Sequence, residues 1–497
     1  MDTEHITLGA REVTAEQRTI LEHAKAGESL RVLALAGTGK TSTLQEIAAA
    51  TVGVKSLYLA FNRAIADEAR RKFPDHVVVK TAHALAYAAL GHRFKHRLET
   101  STWALREALT QRFPLHRVSS NARFASTAVI ETLNTFLASA AEFVAAAHVP
   151  EKVRDDVNTR ALVSLTQTVF DTMADVGSDF PVTHDVYLKA FQLSKPHLPW
   201  QLIYFDEAQD ANGVILALVQ AQEHLQRIFV GDESQAIYGF RHAVNALESL
   251  RLPAYPLTQS WRFGSKIAHV ANLILEAKDE PLRVRGRPDR DDRIASTTVP
   301  VPNVVLARTN AGLFEEAYAV IGKLEAADRI AFVGGVDPVI AMVMGAYELY
   351  STGKTQNPDF RFFSGGWRDL RGAVESGQGG TYGPFVKLVE RHEAKIPAMC
   401  DALHASAIPD RHKARVAFST AHRFKGQEAH TVRLAGDFPP FCDFDYNERR
   451  YVFRVEEANI AYVAVTRAEH VLDISAYAPI LNVSLTNRRR IRGSVAQ

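Results

Sequence analysis

Arg31-Val-Leu-Ala-Leu-Ala-Gly-Thr-Gly-Lys-Thr-Ser42 is an apolar run that breaks in a Gly-Thr-Gly turn and re-enters sequence of helical character. That order reads as strand, loop and helix, since a short apolar run bounded by glycines fits a buried strand. Comparable runs recur at Ser56–Phe61, Val77–Lys80, Leu202–Phe205 and Arg227–Val230, each followed by polar or helical sequence. The alternation predicts a parallel α/β sheet, because parallel strands need crossovers and these are usually helices. Residues 89–199 are rich in Ala, Leu, Phe and Gln at helical spacing, which predicts a helical insertion. A second α/β series starts at Asn303–Ala307 and Arg329–Val333 and resumes at Ala414–Thr420, Thr431–Leu434 and His470–Ile474. The intervening 334–411 carries Gly, Pro and aromatic residues without clean periodicity and reads as a second insertion. The expected fold class is α/β with two parallel-sheet domains. The first is 1–88 plus 200–256 around the insertion 89–199; the second is 257–333 plus 412–497 around the insertion 334–411.

A chain of 497 residues is too long for one core, and 46% hydrophobic with 23% charged residues is a globular balance rather than a disordered one. The formal net charge is only +2, so attraction to a polyanion must come from local basic surfaces. The tail Arg488, Arg489, Arg490 and Arg492 is one such cluster, read either as a phosphate contact or as a solvated basic end. Two cysteines, Cys400 and Cys442, are too few for a disulfide framework or a four-cysteine zinc site, as expected in a reducing cytoplasm, nucleoid-associated if bacterial. No apolar stretch has signal-peptide or membrane-span character, so no membrane partner is expected.

The loop Ala36-Gly-Thr-Gly-Lys-Thr-Ser42 has the context in which backbone N–H groups and a helix N-terminus cradle phosphates. Lys40 would reach the β- and γ-phosphates and Thr41 a Mg²⁺ ion, although Ala34 stands where the general P-loop pattern has its first glycine. Leu202-Ile-Tyr-Phe-Asp-Glu-Ala-Gln-Asp210 delivers two adjacent carboxylates at a strand end. Asp206 suits the metal, and Glu207 the attacking water. Taken singly, the loop could be an ordinary glycine turn and the carboxylates a helix-cap cluster. Their combination favours nucleotide chemistry.

Further motifs follow in order: Val230-Gly-Asp-Glu-Ser-Gln-Ala-Ile-Tyr-Gly-Phe-Arg-His-Ala243, Leu257-Thr-Gln-Ser-Trp-Arg262, Ser419-Thr-Ala-His-Arg-Phe-Lys-Gly-Gln-Glu428 and Glu456-Glu-Ala-Asn-Ile-Ala-Tyr-Val-Ala-Val-Thr-Arg-Ala468. With the loop and Asp206–Asp210 they resemble superfamily 1 helicases of the UvrD/Rep group over Gln17 to Ala468. Phe61-Asn-Arg63, Lys80-Thr-Ala-His83 and Asp185-Val-Tyr-Leu-Lys189 resemble the F-box DNA helicases in wording. About thirty residues precede the loop, too few for an F-box and linker, so no ubiquitin-ligase role is expected.

The resemblance implies two RecA-like domains with ATP and Mg²⁺ at their interface. It implies that Gln17 reads the adenine edge, Trp261 stacks on the base and Gln235 senses the γ-phosphate. Ala36, Gly37, Thr38, Gly39, Lys40, Thr41, Ser42 and Glu428 complete the nucleotide contacts. Arg262 and Arg467 would supply charge to the γ-phosphate, and Thr41 with Asp206 would hold the metal. Phe61, Asn62, His83, Tyr238, Phe240, Arg241, Thr420 and His422 are the expected DNA contacts, with ordinary core packing the alternative for the aromatic residues. The implied activity is ATP-driven movement on single-stranded DNA and at duplex junctions, 3′ to 5′ by family polarity, with a protein partner conceivable through the insertions. Two alternatives stand beside it: a translocase that strips bound proteins with little unwinding, and a nucleotide-gated DNA-binding regulatory subunit. The insertion 334–411 is small for the group, which bears on unwinding rather than translocation.

Overall fold

The computed structural model describes residues 13–239, 247, 250–376, 380–446 and 448–495. The chain divides into two compact units, Met1–Ala34 with Gly39–Leu257, and Leu35–Thr38 with Thr258–Gln497.

In the first unit the strands are β1 Leu30–Ala34, β2 Ser56–Ala60, β3 Val77–Thr81, β4 Leu202–Phe205, β5 Gln226–Gly231 and β6 Ala254–Leu257. They form one all-parallel sheet in the order β3-β2-β4-β5-β1-β6. The helices are α1 Ala15–Lys25, α2 Lys40–Ala50, α3 Arg63–Lys72, α4 Ala82–Ala89, α5 Thr102–Arg112, α6 Ala122–Ala138, α7 Glu151–Arg154, α8 Thr159–Ala174, α9 His184–Leu193 and α10 Gly213–Gln220. Every residue of β2 and β4 is buried, as expected for strands covered on both faces. One face packs on α1 to α3, where Ile20, Ile47 and Ala66 meet Tyr58, Val79 and Ile228. The other face shares a core with the helical insertion, joining Leu57, Ile203 and Phe229 to Phe136, Val169 and Phe191.

Lys189 on α9 is fully buried in that insertion. Its Nζ donates to the carbonyl of Ser139 at 3.0 Å, to that of Ala141, and to Gln192 Oε1 at 2.9 Å, while lying 4.6 Å from the centre of the Phe136 ring. It caps carbonyls just beyond the C-terminus of α6. Lys189→Met should lower unfolding stability at pH 7 by about 1–3 kcal/mol, because buried acceptors lose their donor. Burial pulls the ammonium pKa down from 10.5 to about 8, with Glu142 opposing. The unfolded chain therefore holds this proton more tightly, and between about pH 8 and 10.5 the parent should gain stability with rising pH relative to Lys189→Met. Urea unfolding of both proteins across that range measures it.

The second unit holds β7 Arg293–Ile294, β8 Val304–Ala307, β9 Ile330–Phe332, β10 Val416–Thr420, β11 Ala429–Leu434 and β14 Ala468–Asp473 in a parallel sheet ordered β7-β14-β11-β8-β10-β9. A separate antiparallel hairpin is made by β12 Cys442–Asp445 and β13 Arg450–Phe453. Between β9 and β10 lie helices Asp337–Thr352, Trp367–Glu375, Gly383–His392 and Ile396–Ser406. Their apolar faces (Val343, Phe385, Leu403) join the sheet residues Val305 and Phe418 in one core. Among the described residues no helix is long and apolar enough to cross a membrane.

Candidate functional site

The order β4-β5-β1 decides where the chemistry gathers. All three strands run parallel, so the segments that follow them emerge at one edge, where open α/β sheets bind their ligands. β1 leads into the Gly37-Thr-Gly-Lys40 turn, β4 into Asp206 and Glu207, and β5 into Asp232 and Gln235.

Gly37 and Gly39 have φ of +74° and +85°, a left-handed conformation that suits glycine and turns the loop into α2. Lys40 opens α2, and its ammonium lies 3.0 Å and 3.1 Å from the two oxygens of Glu207. Burial works against that charge, but Glu207, Asp232 and Asp206 outweigh it and hold the lysine pKa above its ordinary value. Asp206 is almost fully buried. It accepts from the Glu207 amide at 2.8 Å, the Tyr58 hydroxyl at 2.6 Å and the Thr41 hydroxyl at 3.4 Å. Burial, then the neighbouring Glu207 carboxylate, pushes its carboxyl pKa up, with Lys40 opposing.

Thr41 and Asp206 thus converge as two hard oxygen donors, and the crowded carboxylate pair has charge that a dication would neutralise. The residues fit Mg²⁺. Ser42 is exposed on the first turn of α2.

Glu207 has φ +51°, a left-handed conformation that costs a non-glycine residue about 1–3 kcal/mol and that concentrates at functional positions. Gln209, fully buried, donates to Glu207 Oε2 at 2.5 Å and accepts from the Asp232 amide at 3.0 Å, linking the β4 and β5 ends. A Cβ at Gly231 would lie 2.3 Å from that Gln209 oxygen, so only glycine admits this bridge without a shift. Gln235 donates its amide to Asp232 at 2.6 Å. Gln17 is the third residue of α1 and shares a capping box with Thr14 (3.0 Å and 3.1 Å), while its Nε2 donates to Thr43 at 3.1 Å. Those contacts use one N–H and one lone pair of its side-chain amide.

Leu35–Thr38 group with the second unit. The Ala36 amide donates to the Tyr462 hydroxyl at 3.0 Å, the Trp261 amide donates to the Gly37 carbonyl at 2.8 Å, and the buried Thr38 hydroxyl donates to Leu35 O at 2.7 Å. Arg262 binds Glu428 at 2.6 Å and the Thr466 carbonyl at 2.9 Å. Arg467 is buried, donating to Val463 O at 2.9 Å, Gln427 O at 3.3 Å and the Thr466 hydroxyl at 3.3 Å. Burial works to raise the Glu428 carboxyl, yet Arg262 and Arg467 hold it below its usual range. Arg262, Glu428 and Arg467 therefore form one cluster.

The candidate DNA contacts fall into three groups. Phe61 follows directly on β2 and Tyr238 comes after β5; both are half-buried, and their rings stack at 5.7 Å with a 16° tilt. Asn62 caps α3 by accepting from Ile65 N at 2.9 Å, and His83 on α4 lies 3.0 Å from Asp185, whose carboxyl it holds below the ordinary range while burial opposes. Phe61, Asn62 and His83 stand at the same sheet edge as Lys40, Asp206 and Glu207 but on the β2–β3 flank. In the second unit Thr420 ends β10, its hydroxyl accepting from Arg423 N at 3.4 Å, and His422 follows it half-buried. Phe240 and Arg241 lie outside the described residues.

Residues that the sequence reading gave no role are Tyr58, Gln209, Asp232 and the Arg308–Glu457 pair, whose two hydrogen bonds measure 2.9 Å and 2.7 Å. Asp232 lay within a quoted motif and Gln209 beside Glu207, so their positions were visible. Tyr58 was hidden inside an apolar strand.

Residues 13–249 match the family described as the UvrD/REP helicase N-terminal domain. F-box DNA helicase 1 of Gallus gallus is 31% identical over 94% of this chain and 49% of its own length, and F-box DNA helicase protein 1 of Schizosaccharomyces pombe 28% identical over 95% and 58%. The chain spans about half the length of these relatives. A solved structure of an Arterivirus nonstructural protein 10 (helicase) with DNA aligns over 92% of this chain and 62% of that one, at 11% identity and a TM-score of 0.32, a likeness too low to bear on the fold.

Proposed function

We propose, from the premise that this chain carries the UvrD/REP helicase N-terminal domain and is homologous over most of its length to F-box DNA helicases, that it couples ATP hydrolysis to movement along single-stranded DNA and to strand separation. The observation that carries this reading is the Lys40–Glu207–Asp206 constellation, assembled from the ends of β1 and β4 beside Gln235.

Bound ATP with Mg²⁺ would supply the transferable phosphoryl group and the metal charge that steadies it. Lys40 would hold phosphate oxygens, Thr41 and Asp206 would hold the metal, and Glu207 would orient the attacking water by accepting its hydrogen bond. Lys40 then exchanges Glu207 for phosphate, which leaves the carboxylate open to water. Gln235 reports on the γ-phosphate through Asp232, and Arg262 and Arg467 supply guanidinium charge to the phosphoryl group. Trp261 and Gln17 hold the base. Phe61 and Tyr238 offer ring faces to DNA bases, and His83, Thr420 and His422 offer polar contacts to its backbone.

The polarity follows the family, 3′ to 5′. Strand displacement on 3′- and 5′-tailed duplexes tests it: ATP-dependent displacement from the 3′ tail is expected, displacement from the 5′ tail alone would reverse the polarity, and removal of tail-bound protein without displacement would favour the stripping motor.

Phe61→Ala separates stacking from packing. If the ring serves DNA, binding should fall by about 1–3 kcal/mol with little change in Tm. A core role would instead take about 3–5 kcal/mol from folding and leave the affinity of folded molecules intact.

A further inference from the structure

Outside the motor motifs the sequence carries four closely spaced arginines, and the fold gives them two different tasks. Arg488 and Arg492, one turn apart on the helix Ala478–Val495, face the end of helix Ser265–Ala277. Arg488 donates to the Ala277 carbonyl at 2.8 Å and Arg492 to the Glu276 carbonyl at 2.5 Å, and both pair with Asp279. These two satisfy carbonyls left open at a helix C-terminus and share the one carboxylate of Asp279. Arg489 and Arg490 are exposed, and neither meets a carboxylate among the described residues.

The β12–β13 hairpin lies along the same helix, tied by Asn487 Nδ2 donating to Cys442 O at 3.1 Å. Its register pairs Cys442 with Phe453 and Phe444 with Tyr451, so these side chains share one face. The Arg488 guanidinium lies 4.6 Å from the Phe453 ring centre; that of Arg490 lies 5.9 Å from Tyr451, whose hydroxyl it reaches at 2.8 Å. Phe444 contacts both Tyr451 and Tyr446 edge to face at 5.2 Å. Tyr446, at the hairpin tip, is 84% exposed. The series of rings therefore runs from half-buried Phe453 to exposed Tyr446, and Arg490, which pairs with no carboxylate among the described residues, stands beside Tyr451 with Arg489 next to it on the helix. Asp443 and Asp445 fall on the opposite face by register.

Exposed rings take base faces, and neighbouring guanidinium groups take phosphates. A duplex has no free base face for Tyr446, and one ring between arginines lacks the apolar centre of a protein interface. We propose that the hairpin tip and the C-terminal helix form an auxiliary single-stranded DNA subsite, with Tyr446 stacking on a base and Arg489 and Arg490 holding backbone phosphates. The inference rests on the single-strand motor reading and adds a contact that none of its motifs contains.

Fluorescence anisotropy of the full chain with a labelled oligothymidylate, titrated at several salt concentrations, tests it. Tyr446→Ala should weaken binding about 5- to 150-fold. Arg489→Ala should lower the slope of log affinity against log salt by about 0.7, the value for one phosphate contact on a single strand. Both side chains are exposed, so Tm should not move. If the parent binds the oligonucleotide and hydrolyses ATP faster with it while both variants match the parent, the subsite is overturned alone, and the tip faces some other partner. A parent that binds no oligonucleotide overturns the subsite and the motor reading together.

Discussion

Glu207→Gln should lower ATP turnover by about 10²- to 10⁴-fold while leaving ATP binding near that of the parent, the range expected when a positioned base is removed. The structure explains why the substitution is selective. Lys40, Thr41 and Asp206 remain, and the amide oxygen of glutamine can still accept from Lys40 and Gln209. The left-handed backbone at 207 is as strained for glutamine as for glutamate, so the turn should persist. What disappears is the negative charge that orients water. Single-turnover hydrolysis beside titration with a fluorescent ATP analogue measures both halves, and hydrolysis at the parental rate would remove Glu207 from this role.

Lys40→Met should act on binding instead. Losing a charged donor to phosphate weakens ATP binding by about 1.5–3 kcal/mol, or roughly 10- to 150-fold. It should also lower the Tm of the nucleotide-free protein, because Lys40 is the cation between Glu207, Asp206 and Asp232, whose charges it offsets. Glu207→Gln removes one of those negative charges and should not lower the Tm. A lowered Tm in one variant and not in the other is a sharper signature than loss of activity, which either variant would show. Calorimetry on the nucleotide-free proteins reads the difference, and equal Tm values for Lys40→Met and the parent would contradict the charge arrangement.

Much of the sheet framework was legible because buried parallel strands write themselves as short apolar runs; Leu202–Phe205 was read to the residue. The strands that escaped lack that mark. Ala254–Leu257 contains Pro256 and is mostly exposed or half-exposed, and Arg293–Ile294 is two residues long. The helices within 334–411 are obscured because three of them carry proline as their second residue, Pro338, Pro384 and Pro397, which reads as a break but is favoured in a first helical turn. At the candidate site the motif residues are legible in the sequence and their supports are not. Tyr58 looks like any core aromatic until the pairing of β2 with β4 brings its hydroxyl to Asp206. Likewise, sequence alone could not divide the arginine cluster into Arg488 and Arg492, which cap a helix, and Arg489 and Arg490, which face solvent. Those distinctions are made by tertiary neighbours.

Steady-state ATPase activity with and without an unlabelled single-stranded oligonucleotide tests most directly the proposal that this chain uses ATP to act on single-stranded DNA. Turnover should rise severalfold or more on addition of the single strand, with the stimulated activity lost in Glu207→Gln. Turnover that is the same with and without DNA would contradict it.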